Sequence, residues 1–347
     1  MATYIDFQPS DFFNTVLYDG TGSSHAVTGV GFQPDITWIK NRPSNYSHVI
    51  FDSVRGVQER LVVNTDDSES NDSAMLTAWG ADGFTLGSSN EVNRAGGDGY
   101  VGWNWKAGTT TGLSGGTHAV TSYSYNATSG FGIYTYSGDN TAGTIAHGLG
   151  AVPRMIITKR LNTAQDWFNY DANVGKAQYI NLNTTAGEAG SVVMWNNTLP
   201  TSTVFSLGAG AEANTSGNDY VAYVFADKKG YSRIGGYQGN GNADGPFVYT
   251  GFRPAWVMCR MPSGAFTGNW VINDNKRPGY NVNQNVLFAN ASTLETTTAP
   301  FACDLLSNGF KFRGSESDVN SNGYNYIYMA FAEYPLVSSN SKAGVAR

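Results

Sequence analysis

A basic residue and an aspartate recur together three times along the sequence, and they are the first candidates for chemistry. The pairs are Lys40 with Asp52, Lys159 with Asp171, and Arg260 with Asp274. Each basic residue closes a strand-like segment, and each aspartate follows an aromatic run. A functional interpretation gives three equivalent charged sites, whereas a structural one gives salt bridges or turn-closing aspartates. Because an exposed ion pair contributes little free energy, we predict scaffold pairs that fix local geometry.

Other catalytic patterns are weak. The four histidines, His25, His48, His118 and His147, lack metal-ligand spacing such as H-x-x-x-H. Residues 112–116 (GLSGG) match the G-x-S-x-G pattern, but they lie in a Gly/Thr-rich linker rather than between a strand and a helix. No pair of carboxylates stands out for glycoside hydrolysis. We therefore predict no enzyme, no catalytic residues, no cofactor and no metal site.

An acidic loop in the first third of the chain holds Asp66, Asp67, Glu69 and Asp72. Carboxylate oxygens of this kind are ligands for calcium. The spacing departs from the EF-hand pattern, and the corresponding stretches further along lack the cluster. We favour a solvated loop over a calcium site.

Aromatic residues in turn-rich stretches are the best candidates for binding. Sugar rings stack on indole and phenol faces, and polar loops supply hydrogen bonds. The alternative for each is a partly buried core aromatic or a subunit contact. The predicted glycan or partner contacts are Trp79, Trp195, Tyr237, Tyr280 and Tyr324. We expect further contacts in the loops that differ between the recurring segments, residues 66–72, 199–213 and 264–280.

The elements that position these residues come from a repeat of about one hundred residues, which is the size of a domain. Each copy begins at a proline, passes the basic residue and the aspartate, and ends on a dense apolar strand. The repeat predicts three related domains, residues 1–110, 111–229 and 230–347.

Alternation of apolar side chains predicts strands throughout, including a half-buried strand at residues 35–38. Asp82–Gly83 and Asn308–Gly309 predict hairpin turns, and a short helical turn is expected within residues 65–78. Nine of them, in the three closing strands, should line one buried face in each domain: Val101, Trp103, Trp105, Val221, Tyr223, Phe225, Ile327, Met329 and Phe331. Small residues between them, Gly102, Ala222 and Ala330, should let a second layer approach closely. The predicted fold class is all-β, with three tandem antiparallel β-sandwich domains of jelly-roll or lectin-like type.

Composition narrows the function. The 347 residues carry a net charge of −6 with scattered Lys and Arg, which argues against a nucleic-acid partner. No apolar stretch reaches the roughly 20 residues of a membrane span, and residues 1–6 do not resemble a signal peptide. We expect synthesis in a cytoplasm, with Cys259 and Cys303 as unpaired thiols.

Several segments resemble a family of bacteriophage proteins, especially from marine phages, described as tail-fibre or virion structural proteins. These segments are residues 8–18 (QPSDFFNTVLY), 29–35 (GVGFQPD), 38–42 (WIKNR), 52–56 (DSVRG), 83–87 (GFTLG), 103–108 (WNWKAG), 147–150 (HGLG) and 306–311 (LSNGFK). The resemblance covers nearly the whole chain and implies a place in a virion. It supplies no catalytic residues.

These observations predict a non-enzymatic virion protein on the particle surface, in a tail-associated fibre or receptor-binding component that contacts host surface glycans. Its partners would be other virion proteins and a homo-oligomer, with a trimer as the first expectation. The alternative is a capsid decoration or head-fibre protein with a purely structural role. A polysaccharide depolymerase is a minor alternative.

Overall fold

The computed structural model describes residues 5–210, 212–264, 268–279 and 281–337. Strands take up 44% of these residues and helices 4%, so the prediction of an all-β protein is confirmed. Within these ranges, no helix is long and apolar enough to cross a lipid bilayer.

The first repeat, residues 1–110, forms a large and a small antiparallel sheet. Its strands are β1 (Phe13–Asp19), β2 (His25–Thr28), β3 (Ile36–Asn41), β4 (Val49–Asp52), β5 (Gly56–Val62), β6 (Ser70–Asn71), β7 (Leu76–Gly80), β8 (Gly83–Leu86) and β9 (Gly99–Trp105). A 3-10 turn (Pro9–Asp11) precedes them, and α1 (Asn90–Asn93) lies before β9. The strand order is β1-β9-β3-β4-β5-β6 in the large sheet and β2-β8-β7 in the small one.

The second repeat, residues 111–229, has the same plan, with one more strand in its large sheet and one fewer in its small sheet. Its strands are β10 (Ser122–Asn126), β11 (Phe131–Ser137), β12 (Gly143–Ala146), β13 (Pro153–Arg160), β14 (Phe168–Asp171), β15 (Gln178–Asn181), β16 (Ala189–Gly190), β17 (Val204–Leu207) and β18 (Asp219–Ala226). The large sheet runs β10-β11-β18-β13-β14-β15-β16, and β12 pairs with β17.

The third repeat, residues 230–347, again has two sheets. Its strands are β19 (Ser232–Gln238), β20 (Phe247–Tyr249), β21 (Phe252–Arg260), β22 (Val271–Asp274), β23 (Asn285–Phe288), β24 (Thr296–Thr297), β25 (Cys303–Leu306), β26 (Gly309–Phe312) and β27 (Asn325–Pro335). A 3-10 turn (Ala299–Phe301) and α2 (Ser317–Asn320) complete it. The orders are β19-β27-β21-β22-β23-β24 and β20-β26-β25.

The closing strands β9, β18 and β27 hold the same place in all three large sheets. β9 lies between β1 and β3, β18 between β11 and β13, and β27 between β19 and β21. Every sheet draws its strands from one repeat only.

One face of each large sheet packs into a single core shared by the three repeats. All nine predicted closing-strand side chains belong to this central core, together with Trp38, Ile157 and Trp256 from the neighbouring strands. Aromatic rings join the repeats there: Phe225 and Phe331 lie 6.0 Å apart between centroids, and Trp105 and Trp256 lie 5.7 Å apart. The nine side chains therefore hold the repeats to one another rather than filling three separate interiors.

The opposite face of each large sheet packs on the small sheet of its own repeat. Three further cores form there, and Ala222 and Ala330 belong to two of them. A Cβ added to Gly102 would lie 3.4 Å from Val16 Cγ2 and 3.5 Å from Phe84 Cζ, so the small side chain admits the second layer as predicted. Each repeat thus has β-sandwich character.

Two local predictions are corrected by this arrangement. The sequence suggested that β3 is half buried, but all six of its residues are buried because a core lies on either side. A helical turn suggested for residues 65–78 is absent, and β6 and the start of β7 occupy that stretch instead. The predicted hairpins at Asp82–Gly83 and Asn308–Gly309 are confirmed as the turns β7–β8 and β25–β26.

Candidate functional site

Of the two structural interpretations of the recurring aspartates, the turn-closing one is confirmed and the salt bridge to the recurring basic residue is wrong. Asp52 Oδ1 accepts from the amides of Val54 (3.1 Å) and Arg55 (2.8 Å) in the turn that follows it. Strand register places Asp52 opposite Ile36, at the start of β3, whereas Lys40 lies four residues further along that strand. Four residues of strand span about 13 Å. In the other two repeats, Asp171 lies opposite Met155 and Asp274 opposite Trp256, far from Lys159 and Arg260.

The strand-end cations bind backbone carbonyls at the boundaries between repeats. Arg260 of the third repeat donates hydrogen bonds to the carbonyls of Asn181 (2.7 Å), Thr184 (2.9 Å) and Ala186 of the second repeat. Lys159 of the second repeat donates to the Asp66 carbonyl of the first (3.2 Å). These cations therefore tie each repeat to the loop of the preceding one.

Lys40 occupies the equivalent position in the first repeat. Its Nζ donates to the carbonyls of Asn41 (2.6 Å) and Ser44 (3.1 Å). Burial lowers the pKa of Lys40 to about 7, and Glu295 of the third repeat acts in the opposite direction. Burial also lowers the pKa of Arg260, to about 10.

A glutamate backbone repeats the same contact at all three boundaries. The amide of Glu69 donates to the Leu161 carbonyl (2.8 Å), and the amide of Glu188 donates to the Pro262 carbonyl (2.6 Å). The amide of Glu295 donates to the Arg42 carbonyl (2.7 Å), which joins the third repeat to the first. The contacts run from first to second to third and back to the first, so the repeats close a ring.

Buried indole N–H groups follow the same cyclic order. Trp167 Nε1 donates to the Val62 carbonyl of the first repeat (2.9 Å), and Trp270 Nε1 donates to the Asn181 carbonyl of the second (2.9 Å). The first repeat has His48 at this position. The Phe288 carbonyl of the third repeat tends to raise the pKa of its imidazole, but burial has the larger effect. Burial lowers the pKa of His48, which favours the neutral ring.

Two of the recurring aspartates form a complete charged network. Asp52 Oδ2 accepts from Arg55 Nε (2.6 Å) and from the Tyr223 hydroxyl of the second repeat (2.7 Å). Arg55 Nη1 also pairs with Glu69 (2.5 Å). Burial would lower the pKa of Arg55, but Asp52, Tyr223 and Glu69 raise it above its ordinary value.

The third repeat has the same network. Asp274 Oδ2 accepts from Arg277 Nε (2.6 Å) and from Trp103 Nε1 of the first repeat (3.0 Å). Arg277 Nη1 pairs with Glu295 (3.0 Å), which also binds Arg42 Nη2 (2.9 Å).

The second repeat has lost two parts of this network. Val174 stands three residues after Asp171, where the others have arginine, and Met329 stands where Tyr223 and Trp103 donate their hydrogen bonds. Asp171 Oδ1 accepts from the backbone and side chain of Asn173 (2.7 and 2.8 Å). Asp171 Oδ2 is buried with no hydrogen-bond partner among the described residues. Burial raises the pKa of Asp171 to about 6.

Two of the predicted glycan-binding aromatics pack in or against the sandwich cores. Trp195 is 2% exposed in the second core, and its Nε1 donates to the Gln178 carbonyl (3.0 Å). Tyr237 is half-buried against the third core. It stacks on Tyr326 with 4.9 Å between ring centroids, and its hydroxyl donates to the Val319 carbonyl (2.8 Å). Both rings therefore serve the packing of their own repeat.

Two of the remaining aromatic candidates are half-buried in different repeats. Trp79 lies on β7 against the sandwich core of the first repeat. Tyr324 precedes β27 in the third repeat. Tyr280 lies outside the described residues.

The acidic loop of the first repeat is a contact with the second repeat. The Asp66 carbonyl accepts from the Gln165 amide (2.8 Å), and Glu69 holds Arg55. Asp72 Oδ1 accepts from the Ala74 amide (2.8 Å). In the described part of the chain, no group of His, Cys, Asp or Glu side chains has the arrangement of a metal site.

The residue after each recurring proline, Asp35, Arg154 or Ala255, lies where two repeats meet. We call these three interfaces the first, second and third seam. In the first seam, Asp35 accepts from the hydroxyls of Ser53 (2.6 Å) and Ser124 (2.9 Å) and from the Ala107 amide (2.7 Å). Ser124 belongs to β10 of the second repeat, so the Asp35 carboxylate fills this seam.

A longer side chain fills the second seam. Arg154 donates through Nε to the Ile234 carbonyl of the third repeat (3.1 Å) and through Nη2 to Asn173 (3.3 Å). Asp227 lies 3.8 Å from its Nε. The pairing of β13 with β18 shifts register between Pro153 and Met155, and such a bulge re-aims the side chain outward.

The third seam, between the third and first repeats, contains a cavity of about 140 Å³. Alanine, at Ala255, replaces the acid and the arginine of the other two seams. Six of its lining residues are Asn14, Ala255, Asn275, Lys276, Glu333 and Tyr334.

Sequence reasoning missed most of these functional contacts. The signal was present as an Asp-x-x-Arg spacing at Asp52–Arg55 and Asp274–Arg277, with valine in the remaining copy. The cavity residues Asn275 and Lys276 do lie in the predicted contact region 264–280. The prediction of unpaired thiols is confirmed, since Cys259 and Cys303 are both free and buried.

No curated protein and no solved structure matches the chain significantly. A family model described as a domain of unknown function, DUF7483, matches residues 8–335 and so spans all three large sheets. The chain therefore belongs to the DUF7483 family.

Proposed function

We propose that this chain is a non-enzymatic structural protein of a bacteriophage virion, displayed on the particle as a tail-associated fibre or receptor-binding component that contacts host surface glycans. It would be synthesised in the host cytoplasm and assembled with other virion proteins. The resemblance of its segments to phage virion proteins supports the setting.

The observation that supports a structural role is that the buried polar residues bind neighbouring repeats. Arg55, Arg277, Arg260, Asp52 and Asp274 all contact a neighbouring repeat or hold a loop that does so. These buried arginines and aspartates therefore stabilise the contacts between the repeats of the ring. A rigid ring suits a protein that must keep its shape outside a cell.

We further propose that the repeats are three related β-sandwich units of jelly-roll or lectin-like type. The repeated strand order and the three separate sandwich cores support this relationship. An experimental structure in which the three units superimpose strand for strand would test it.

Binding to the host surface tests the receptor-binding proposal directly. Purified protein should bind host cells and isolated surface polysaccharide, and a phage lacking the gene should adsorb poorly. Unimpaired adsorption by the deletion phage, with no binding by the protein, would sink the proposal. Release of reducing sugars from the polysaccharide would instead favour the depolymerase alternative.

A capsid decoration or head-fibre role is the second candidate, and the cyclic contacts between repeats favour it. A ring of three similar units matches the threefold positions of a closed lattice. Imaging the intact particle separates the two roles: many copies on the capsid support decoration, and a few copies at the tail support adhesion.

The ring of three repeats within one chain bears on the predicted homo-oligomer. One chain already supplies the three units that a trimer of single-repeat subunits would have. Homo-oligomerisation, with a trimer as the first expectation, stays a prediction that a mass measurement in solution tests.

A further inference from the structure

The outer face of the small sheet in the third repeat carries two exposed aromatic side chains. Phe247 is 46% exposed and Tyr249 is 56% exposed, and both belong to β20. Val248, between them, is buried in the third sandwich core. Because alternate side chains of a strand point to opposite faces, the two rings share the solvent face, about 7 Å apart along the strand.

The equivalent positions in the other two repeats lack aromatic residues. Strands β2, β12 and β20 align because each has one buried aliphatic residue opposite a buried phenylalanine of the neighbouring strand. The residues that flank it in β2 and β12 are Ala26 with Thr28 and Thr144 with Ala146. The fold therefore does not require aromatic side chains here, and a contiguous exposed aromatic pair marks an interaction surface.

A row of charged side chains lies beside the aromatic pair on the same face. Register places Lys311 of β26 opposite Phe247, and Asp304 of β25 opposite Lys311. Asp244 Oδ1 lies 3.0 Å from Lys311 Nζ and 3.4 Å from Arg313 Nη1. Arg313 Nε lies 3.3 Å from Asp304 Oδ2, so two cations and two anions form one paired row. The side chains of Asp244 and Arg313 are 79% and 44% exposed, which leaves this row open to a ligand.

The chemistry of this face fits a neutral sugar. An apolar face of a sugar ring packs on an aromatic ring, and hydroxyl groups both donate and accept, so one sugar can bond to Asp244 and Arg313 together. A charged ligand gains no net attraction from a row whose charges sum to zero. A protein partner would have to bury the ion pairs, and the centres of protein interfaces are depleted in lysine and aspartate.

We propose that this outer face binds a neutral oligosaccharide. Phe247 and Tyr249 each lie against one sugar ring, and Asp244 and Arg313 bind hydroxyl groups of the sugar next to Phe247. The inference rests on the proposed glycan-binding function and gives it a location that the five predicted aromatics do not.

Calorimetry with host surface polysaccharide and with a panel of neutral di- to tetrasaccharides tests the site. The double variant Phe247→Ala with Tyr249→Thr gives the third repeat the residues of the first. It should weaken binding about 100-fold, tenfold for each ring. Arg313→Ala should weaken binding about tenfold through the lost hydrogen bonds. The matched control is Tyr334→Ala, which removes an aromatic ring that is 54% exposed on the large sheet of the same repeat and should leave binding unchanged. Thermal unfolding checks that each variant is folded.

The outcomes separate this inference from the function on which it rests. Binding of either kind of probe that is lost in the double variant and kept in Tyr334→Ala supports the face. Equal binding by the wild type and the double variant shows that the location is wrong, while the glycan function stands at another place. If the wild type binds neither kind of probe, both proposals fall. A double variant that binds glycans normally but no longer joins the virion would make this face a protein contact and overturn the inference.

Discussion

At the scale of single residues, the three copies of one aspartate act as controls for each other. Asp52 and Asp274 have an arginine and a donor from the next repeat, whereas Asp171 has neither. Burial raises the pKa of Asp171 to about 6, because the hydrogen bonds from Asn173 and the charge of Arg154 offset the desolvation of the carboxylate only in part. The second repeat therefore carries a titrating group inside its interface.

Asp171→Asn should stabilise the protein at neutral pH and not in acid. The pKa of Asp171 rises from 3.8 unfolded to about 6 folded, so the folded state binds more protons between these values. The free energy of unfolding should fall by up to about 3 kcal/mol as the pH rises from about 4 to 6, and it should stay constant above that pH. Urea unfolding at pH 4 and pH 7.5 checks this: the gain in the variant should appear only at pH 7.5. An equal change at both pH values would contradict the assignment.

Val174→Arg should restore the missing part of the network. The new guanidinium would stand beside Asp171 as Arg55 stands beside Asp52, and it would lower the pKa of the carboxyl group. The loss of stability between pH 4 and pH 6 should then disappear. Val174→Met is the control, since it adds length without charge and should leave the pH dependence of unfolding as in the wild type. A similar profile in both variants would show that packing, not charge, governs the site.

At the scale of elements, the loops after β5, β15 and β23 hold the ring closed through their backbones. Their carbonyls and amides form hydrogen bonds with the strand ends of the next repeat. The recurring basic residue was visible in the sequence, but its partner was not, because carbonyl acceptors leave no signature in residue type. Spacing along the chain instead suggested the recurring aspartate of the same repeat as its partner.

Arg260→Met should destabilise the protein by about 3–5 kcal/mol, because one buried and two partly buried carbonyls of the second repeat would lose their charged donor. Arg260→Lys should recover part of this free energy, since Lys159 serves the equivalent boundary with a single ammonium group. Chemical denaturation of the three proteins gives the comparison. Equal stability of the Met and Lys variants would mean that side-chain packing, rather than hydrogen bonding, holds the loop.

At the scale of the whole molecule, the sequence predicted the strands and their repetition but not their assembly. Alternation showed which closing-strand residues are buried, because a strand presents every second side chain to one face. It could not show whether that face meets its own sandwich or another repeat, since both environments select apolar side chains. The full burial of β3 was missed for the same reason, and the third-seam cavity depends on contacts between residues more than 200 positions apart.

The shared core predicts that no repeat folds stably alone. Residues 111–229 expressed separately would expose the face that carries Ile133, Tyr223 and Phe225 to water, and we expect aggregation rather than a soluble monomer. Replacing these three side chains by threonine should yield a soluble fragment if the second sandwich core is sufficient to hold the fold. Co-expression of residues 1–110, 111–229 and 230–347 as separate chains should instead give a 1:1:1 complex, because the cyclic contacts determine which repeat follows which. Size-exclusion chromatography with light scattering measures both results. An unmodified fragment that is monomeric and unfolds cooperatively would show that the repeats are independent domains and that the central core is only a contact between them.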